Sequence, residues 1–258
     1  MLEIYDNEFS SCSTKVRLVL AEKDIPWTRH RIDLVRFEQK TPCYLKLNPN
    51  GVVPTAIVDE GPPLLESHII IQYLDSAYPG PAMAPEHAAG RARMLLWLKA
   101  IDDIHLPQGI VNYDQLFLPY WRRMDKDELE GLLAGFASPS AADRMRYLIG
   151  HGLGDGRVSA AKRELRAFYL RVDGQLANNR YLMGERYTLA DVALTPYVNS
   201  PLHAVSNLWF GEMPHIARWL GAIRTRPNFD RAVTAYPLPA DFEAMIMAAP
   251  EGGGVRAV

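Results

Sequence analysis

The chain has 258 residues, 48% of them hydrophobic, and a formal net charge of −2 from 28 basic and 30 acidic side chains. That suffices for one or two domains with sizeable cores, and the dispersed charge argues against nucleic acid or an anionic membrane as partner. No apolar run reaches the roughly 18 residues of a membrane span, Met1–Asp6 has no basic leader pattern, and Cys12 and Cys43 make no disulfide framework, so a soluble cytoplasmic protein is expected.

The first eighty residues alternate strand and helix patterns. Leu2–Tyr5 reads as a strand and Thr14–Lys23 as a helix. Between them lies Ser10-Ser11-Cys12-Ser13, a hydroxyl- and thiol-rich turn at a helix N-terminus. Free N–H groups and the helix dipole favour an anion there, and a thiolate fits because such a position depresses thiol pKa from about 8.5. The same four residues also make an ordinary N-cap. Trp27–Asp33 reads as a second strand, Pro42–Lys46 as a short helix with Thr41 before it, and Val52–Val58 as a third strand. Asp59-Glu60-Gly61-Pro62 is a turn, Leu64–Leu65 a short fourth strand, and Ser67–Tyr78 an amphipathic helix. The order β-α-β-α-β-β-α appends a hairpin to a βαβ unit and predicts a four-stranded mixed sheet within residues 1–80.

Beyond Tyr78 the character changes. Proline- and alanine-rich residues 81–89 read as a linker, and 90–240 as an all-helical domain. Met94, Leu95, Leu98 and Ile101 have helical spacing, and segments 125–136, 139–151, 157–178, 188–199 and 212–226 repeat it. Residues 241–258 are expected to be a partly disordered tail. Thr188-Leu189-Ala190-Asp191 resembles a capping box, flanked by Tyr187 and Val192 as a hydrophobic staple, which makes Asp191 structural.

Two further features suit a small peptide ligand. Val53-Pro54 opens the third strand where a thioredoxin-like unit carries a cis-proline, an arrangement that offers the Val53 N–H and C=O to a ligand; an edge-strand proline is the plainer alternative. Glu66-Ser67 opens a helix whose N-terminus can receive a carboxylate, with Glu66 meeting a neighbouring ammonium. Together these suit a γ-glutamyl tripeptide. Cys43 reads as a small packed residue, and His105 and His203 lack the neighbours of a metal site. Tyr113, Phe117, Tyr120 and Trp121 either line an apolar pocket or pack helices.

These motifs, with Asn48-Pro49-Asn50-Gly51 and the late Met213-Pro214, Trp219 and Arg226-Pro227-Asn228-Phe229, give the chain a close resemblance to the cytosolic glutathione transferases over nearly its whole length. The resemblance implies an α/β thioredoxin-like N-terminal domain, an all-α C-terminal domain, a homodimer, and glutathione as cosubstrate with no metal. It implies glutathione contacts from Val53, Pro54, Glu66 and Ser67, with Lys40 or Gln39 replacing the basic residue that often precedes Val-Pro. Asp102 or Asp103 is the acidic residue that would reach the partner's glutathione. The turn resembles the zeta-class signature, which relies on Ser10 and Cys12. The extra length around residues 124–157 is more similar to the reductive dehalogenases, which use the residue at Cys12 as a second thiol, and to the β-aryl etherases, which use the serine at Ser13. Glutathione transfer to an apolar, aromatic electrophile, in detoxification or aromatic catabolism, is the expected activity. Ether cleavage is the specialisation expected first, with Ser13 as the working residue. Dehalogenation or isomerisation through Cys12, and a non-catalytic ligand-binding role, are the alternatives.

Overall fold

The computed structural model describes residues 1–199 and 209–247. Three strands form its sheet in the order β2-β1-β3: β1 (Leu2–Asp6) lies parallel to β2 (Thr28–Arg31) and antiparallel to β3 (Thr55–Val58). The expected fourth strand shrinks to one bridge, in which Ala56 and Leu64 exchange backbone hydrogen bonds of 3.0 and 2.8 Å. Asp59 and Glu60 both take positive φ, as a tight hairpin turn requires, but Pro62 and Pro63 have no N–H to extend the ladder. Glu66 then turns the chain away at φ +68°.

Helix α1 runs Ser11–Glu22, three residues earlier than its apolar pattern predicts, because Ser10 caps it: the Ser10 hydroxyl accepts from the Ser13 N–H at 3.1 Å. The turn of the sequence reading is therefore the first turn of a helix. Every residue from Ser13 to Ala21 is buried. A helix covered on all sides must hold its polar groups in pairs. Arg17 donates to Asp6 at 2.6 Å, and Asp6 also accepts from Arg29. Helix α2 (Pro42–Leu47) follows β2, and α3 (Ser67–Ala77) packs against α1. One apolar core runs from Ile4, Val16, Val19 and Ile70 through Leu98 and Ile101 to Leu189, Val192 and Trp219, so the sheet unit and the helices share it.

The helical half comprises α4 (Ala88–Asp103), α5 (His105–Asn112), a wide turn at Tyr113–Phe117, α6 (Leu118–Arg123), α7 (Lys126–Ala134), α8 (Pro139–His151), α9 (Asp155–Leu176), α10 (Leu189–Asn199), α11 (Pro214–Arg224) and α12 (Ala240–Met247). Beyond α3 the described residues hold no strand, only an isolated bridge between Tyr181 and Gly184. Helix α12 occupies what the sequence reads as the start of a disordered tail; residues 248–258 lie outside the described residues. No described helix is long and apolar enough to cross a membrane.

The added segment around 124–157 builds a core of its own. Phe37, Trp121, Leu133, Phe136 and Ile149 pack together, and the Trp121 indole donates to the Val35 carbonyl at 2.8 Å. Phe37 lies between Trp121 and Phe136, at ring separations of 4.7 and 5.2 Å. An Ala137 N–H to Lys40 C=O bond and an Arg36–Glu128 ion pair complete the attachment to the loop after β2. Asp191 is structural: its carboxylate accepts from the backbone N–H groups of Leu182 and Thr188, from the Thr188 hydroxyl and from the Trp219 indole. Burial pushes it up to about 6 against those four donors.

Candidate active site

Three elements converge on the first turn of α1. Cys12 is partly exposed, and its Sγ lies 3.8 Å from Nδ1 of His105, the first residue of α5. That nitrogen is also 2.8 Å from the Tyr197 hydroxyl of α10. Burial pushes the thiol up, but the Lys15 ammonium, His105 and a hydrogen bond from the Ser67 side chain outweigh it and lower the thiol to about 6. His105 moves the other way: the adjacent Cys12 charge and hydrogen bond raise it against desolvation. Both shifts favour a thiolate beside a protonated imidazole, the form of a cysteine that attacks sulfur or carbon electrophiles.

Ser13 and Ser10 direct their hydroxyls elsewhere. Ser13, the residue expected first, is fully buried, and its hydroxyl accepts from the Asn7 N–H at 3.3 Å. Ser10 spends its hydroxyl on the cap. The difference follows from the helix beginning at Ser11: a residue one position on from Cys12 points about 100° around the axis, into the core.

Lys15 lies one turn below Cys12 and is 1% exposed, with Nζ 3.8 Å from Asp102 and 5.1 Å from the Tyr197 ring centroid. Asp102 also stands 3.4 Å from Nδ1 of His68, within ion-pair distance but out of line for a hydrogen bond. Asp102 is thus held by two groups of its own chain. Asp103 points away and pairs with Lys99 on the exposed face.

Of the residues expected to hold glutathione, Ser67 reaches the Cys12 thiol. The Val53–Pro54 bond is cis, and Val53 is buried, with no hydrogen bond from within the described chain to its N–H or C=O. Ser67 is buried at the start of α3, and Glu66 before it is exposed at φ +68°, a backbone region that non-glycine residues rarely adopt. Gln39 is 8% exposed with its Oε1 unpartnered. Lys40 donates to the Gly51 carbonyl at 2.7 Å, and burial lowers its pKa. Gly51 has φ +59°, and a Cβ there would meet the Gln39 carbonyl at 2.9 Å, so only glycine closes this loop over Gln39 and Lys40.

The aromatic residues divide. Trp121 is core, whereas Phe117 and Tyr120 surround Phe242 of α12 together with Phe9, the residue before the cap. Cys43 is exposed, not packed. His203 lies outside the described residues, and the described residues hold no cluster of three metal-ligating side chains. Local motifs brought Cys12, Val53, Glu66 and Ser67 into view. His68, His105, Tyr197 and Phe242 carry no local signal, and only the folded chain brings them to their partners.

Residues 9–77 match the family described as Glutathione S-transferase, N-terminal domain, and residues 154–227 match Glutathione S-transferase, C-terminal domain. The chain is 30% identical to Glutathione S-transferase 3 of Zea mays, over 92% of this chain and 96% of that protein. It is 28% identical to a maleylacetoacetate isomerase of Pseudomonas aeruginosa, over 90% and 95%. In structure it resembles the β-etherase LigF from Sphingobium sp. strain SYK-6, with TM-score 0.79 and 22% identity over 91% of this chain and 99% of that one.

Proposed function

The chain belongs to the glutathione S-transferase family, and we propose that it is a transferase for small aromatic electrophiles in which Cys12, not Ser13, is the working side chain of the turn. The observation that carries this reading is the Cys12 thiol placed among His105, Lys15 and Ser67 at a helix N-terminus, while the Ser13 hydroxyl is turned into the core.

Glutathione would lie along Val53, with its γ-glutamyl end at Glu66 and Ser67 and its glycyl end toward Gln39 and Lys40. Its thiolate attacks an electrophilic aromatic-substrate carbon, and a halide or phenolate leaves with the bonding pair. For a conjugate whose carbon can take up a proton, the Cys12 thiolate then attacks the glutathione sulfur. The carbon–sulfur bond breaks with its pair going to carbon, carbon gains a proton, and a Cys12–glutathione disulfide remains. A second glutathione thiolate releases Cys12 and leaves as glutathione disulfide. His105 stabilises the Cys12 anion in both steps.

A homodimer in the cytoplasm fits this reading. Ile69 on α3 and Leu95 and Leu96 on α4 are exposed apolar side chains that a partner subunit would cover. A second reading, ether cleavage by glutathione alone, is favoured by the likeness to the β-etherase. A panel of aryl ethers, chlorinated quinols and maleylacetone assayed with glutathione separates the two. Cys12→Ser should abolish turnover of the quinols at the conjugate stage, and full turnover of every acceptor by that variant would overturn the Cys12 reading.

A further inference from the structure

Phe242 is fully buried although the other described side chains of its helix are exposed. Its neighbours Asp241, Glu243 and Ala244 are exposed, so among the described side chains of α12 this ring is the buried anchor, with Leu238 just upstream half-buried against the same cluster. The ring meets Phe9 edge-on at 4.5 Å, Tyr120 at 5.0 Å and Phe117 at 5.6 Å, with Val35 and Leu116 completing the wall. That wall is an apolar, aromatic pocket beside the cap of α1, filled by the chain's own phenyl group.

The chain leading to Phe242 is fastened in two different ways. Upstream the hold is buried and charged: the Arg17 Nε donates to the Ala232 carbonyl at 3.0 Å, and the Tyr236 ring faces the guanidinium groups of Arg17 and Arg29 at 4.2 and 4.8 Å. Beyond Tyr236 the polar hold among the described residues is an exposed hydrogen bond from the Tyr120 hydroxyl to Asp241, at 2.9 Å. A fixed strap thus ends in a weakly latched plug.

We propose that Phe242 is an internal occupant of the acceptor site: the aryl ring of the substrate enters the pocket of Phe9, Val35, Phe117 and Tyr120 by displacing it, with Tyr236 as the fixed end and Tyr120–Asp241 as the latch. This rests on the aromatic-acceptor reading above and adds where the ring goes and what competes with it. A pocket that is open only part of the time binds its ligand more weakly in proportion to the closed fraction, so removing the plug tightens binding.

The test is calorimetric titration of the full chain with S-benzylglutathione and, separately, with glutathione. Phe242→Ala should bind S-benzylglutathione about tenfold more tightly than the parent, with glutathione affinity unchanged, because burial of one phenyl group is the competing term. Asp241→Asn, which weakens the latch and leaves every apolar side chain of the pocket in place, should move the same way by a smaller factor. In the parent sequence carrying 4-fluorophenylalanine at position 242, the fluorine resonance should shift on adding S-benzylglutathione and stay put with glutathione. Benzyl alcohol, a ring without the tripeptide, should shift it too, so the plug is testable even if glutathione fails to bind and the family reading of the cleft falls. Equal or weaker S-benzylglutathione binding in both variants, or a resonance that neither ring-bearing probe moves, overturns the proposal.

Discussion

Replacing His105 by asparagine should move the Cys12 thiol from about 6 toward the ordinary thiol range by one to two pH units. Two unit charges at 3.8 Å interact by about 1 kcal/mol in water and about 4 kcal/mol at an effective dielectric of 20. A partly exposed sulfur sits between these limits, and one to two pH units correspond to about 1.4–2.8 kcal/mol. At pH 7 the thiolate fraction should fall from about 90% in the parent to between about 50% and 10% in the variant. The assay is the pH dependence of iodoacetamide alkylation, followed by mass spectrometry on a Cys43→Ser background because Cys43 is exposed. The parent rate should bend near pH 6 and the variant near pH 7–8, with the same plateau above. A parent inflection near pH 8.5, or coincident profiles, would refute the thiolate–imidazolium pair.

Four other outcomes follow from the same contacts. Ser67→Ala should weaken glutathione binding by about 1–3 kcal/mol in calorimetry, the cost of leaving a charged partner one hydrogen bond short. Because the Cys12 thiol is lower in the folded chain than in the unfolded one, its ionisation contributes stability that is full above about pH 8.5 and lost as pH falls through about 6; Cys12→Ser should flatten that part of the pH–stability curve in thermal melts. Asp191→Ala strands four donors, so it should cost about 3 kcal/mol or more and lower the melting temperature by roughly 6–12 °C, while the folded fraction keeps its affinity for glutathione. Phe37→Ala should cost about 3–5 kcal/mol in urea unfolding by emptying the space between Trp121 and Phe136.

The sequence carried the fold wherever period and punctuation are local. Helix α8 matches its predicted bounds residue for residue, because Ser138-Pro139 and Gly152 punctuate both ends. The apolar pattern places the start of helix α1 three residues late, since Ser11, Cys12 and Ser13 contribute no apolar period, and the cap that starts the helix is a hydrogen bond. That offset also decided the site. With the helix beginning at Ser11, Cys12 faces His105 and Ser13 faces the core, a choice that the string Ser-Ser-Cys-Ser does not encode. His105 and Tyr197 lie more than ninety residues from their partners in the chain, so no spacing rule could join them to Cys12. Phe242 lies in a segment whose sequence predicts a tail, because one buried ring leaves no periodic trace.

The central claim is that Cys12 accepts the glutathionyl group. Intact-protein and peptide mass spectrometry after acid quench of the enzyme turning over a glutathionyl hydroquinone tests it most directly. The account predicts one glutathionyl adduct on the Cys12 peptide, none on the Cys43 peptide, and accumulation of the conjugate with Cys12→Ser. Unmodified Cys12 throughout turnover, with the Cys12→Ser variant equally active, would contradict it.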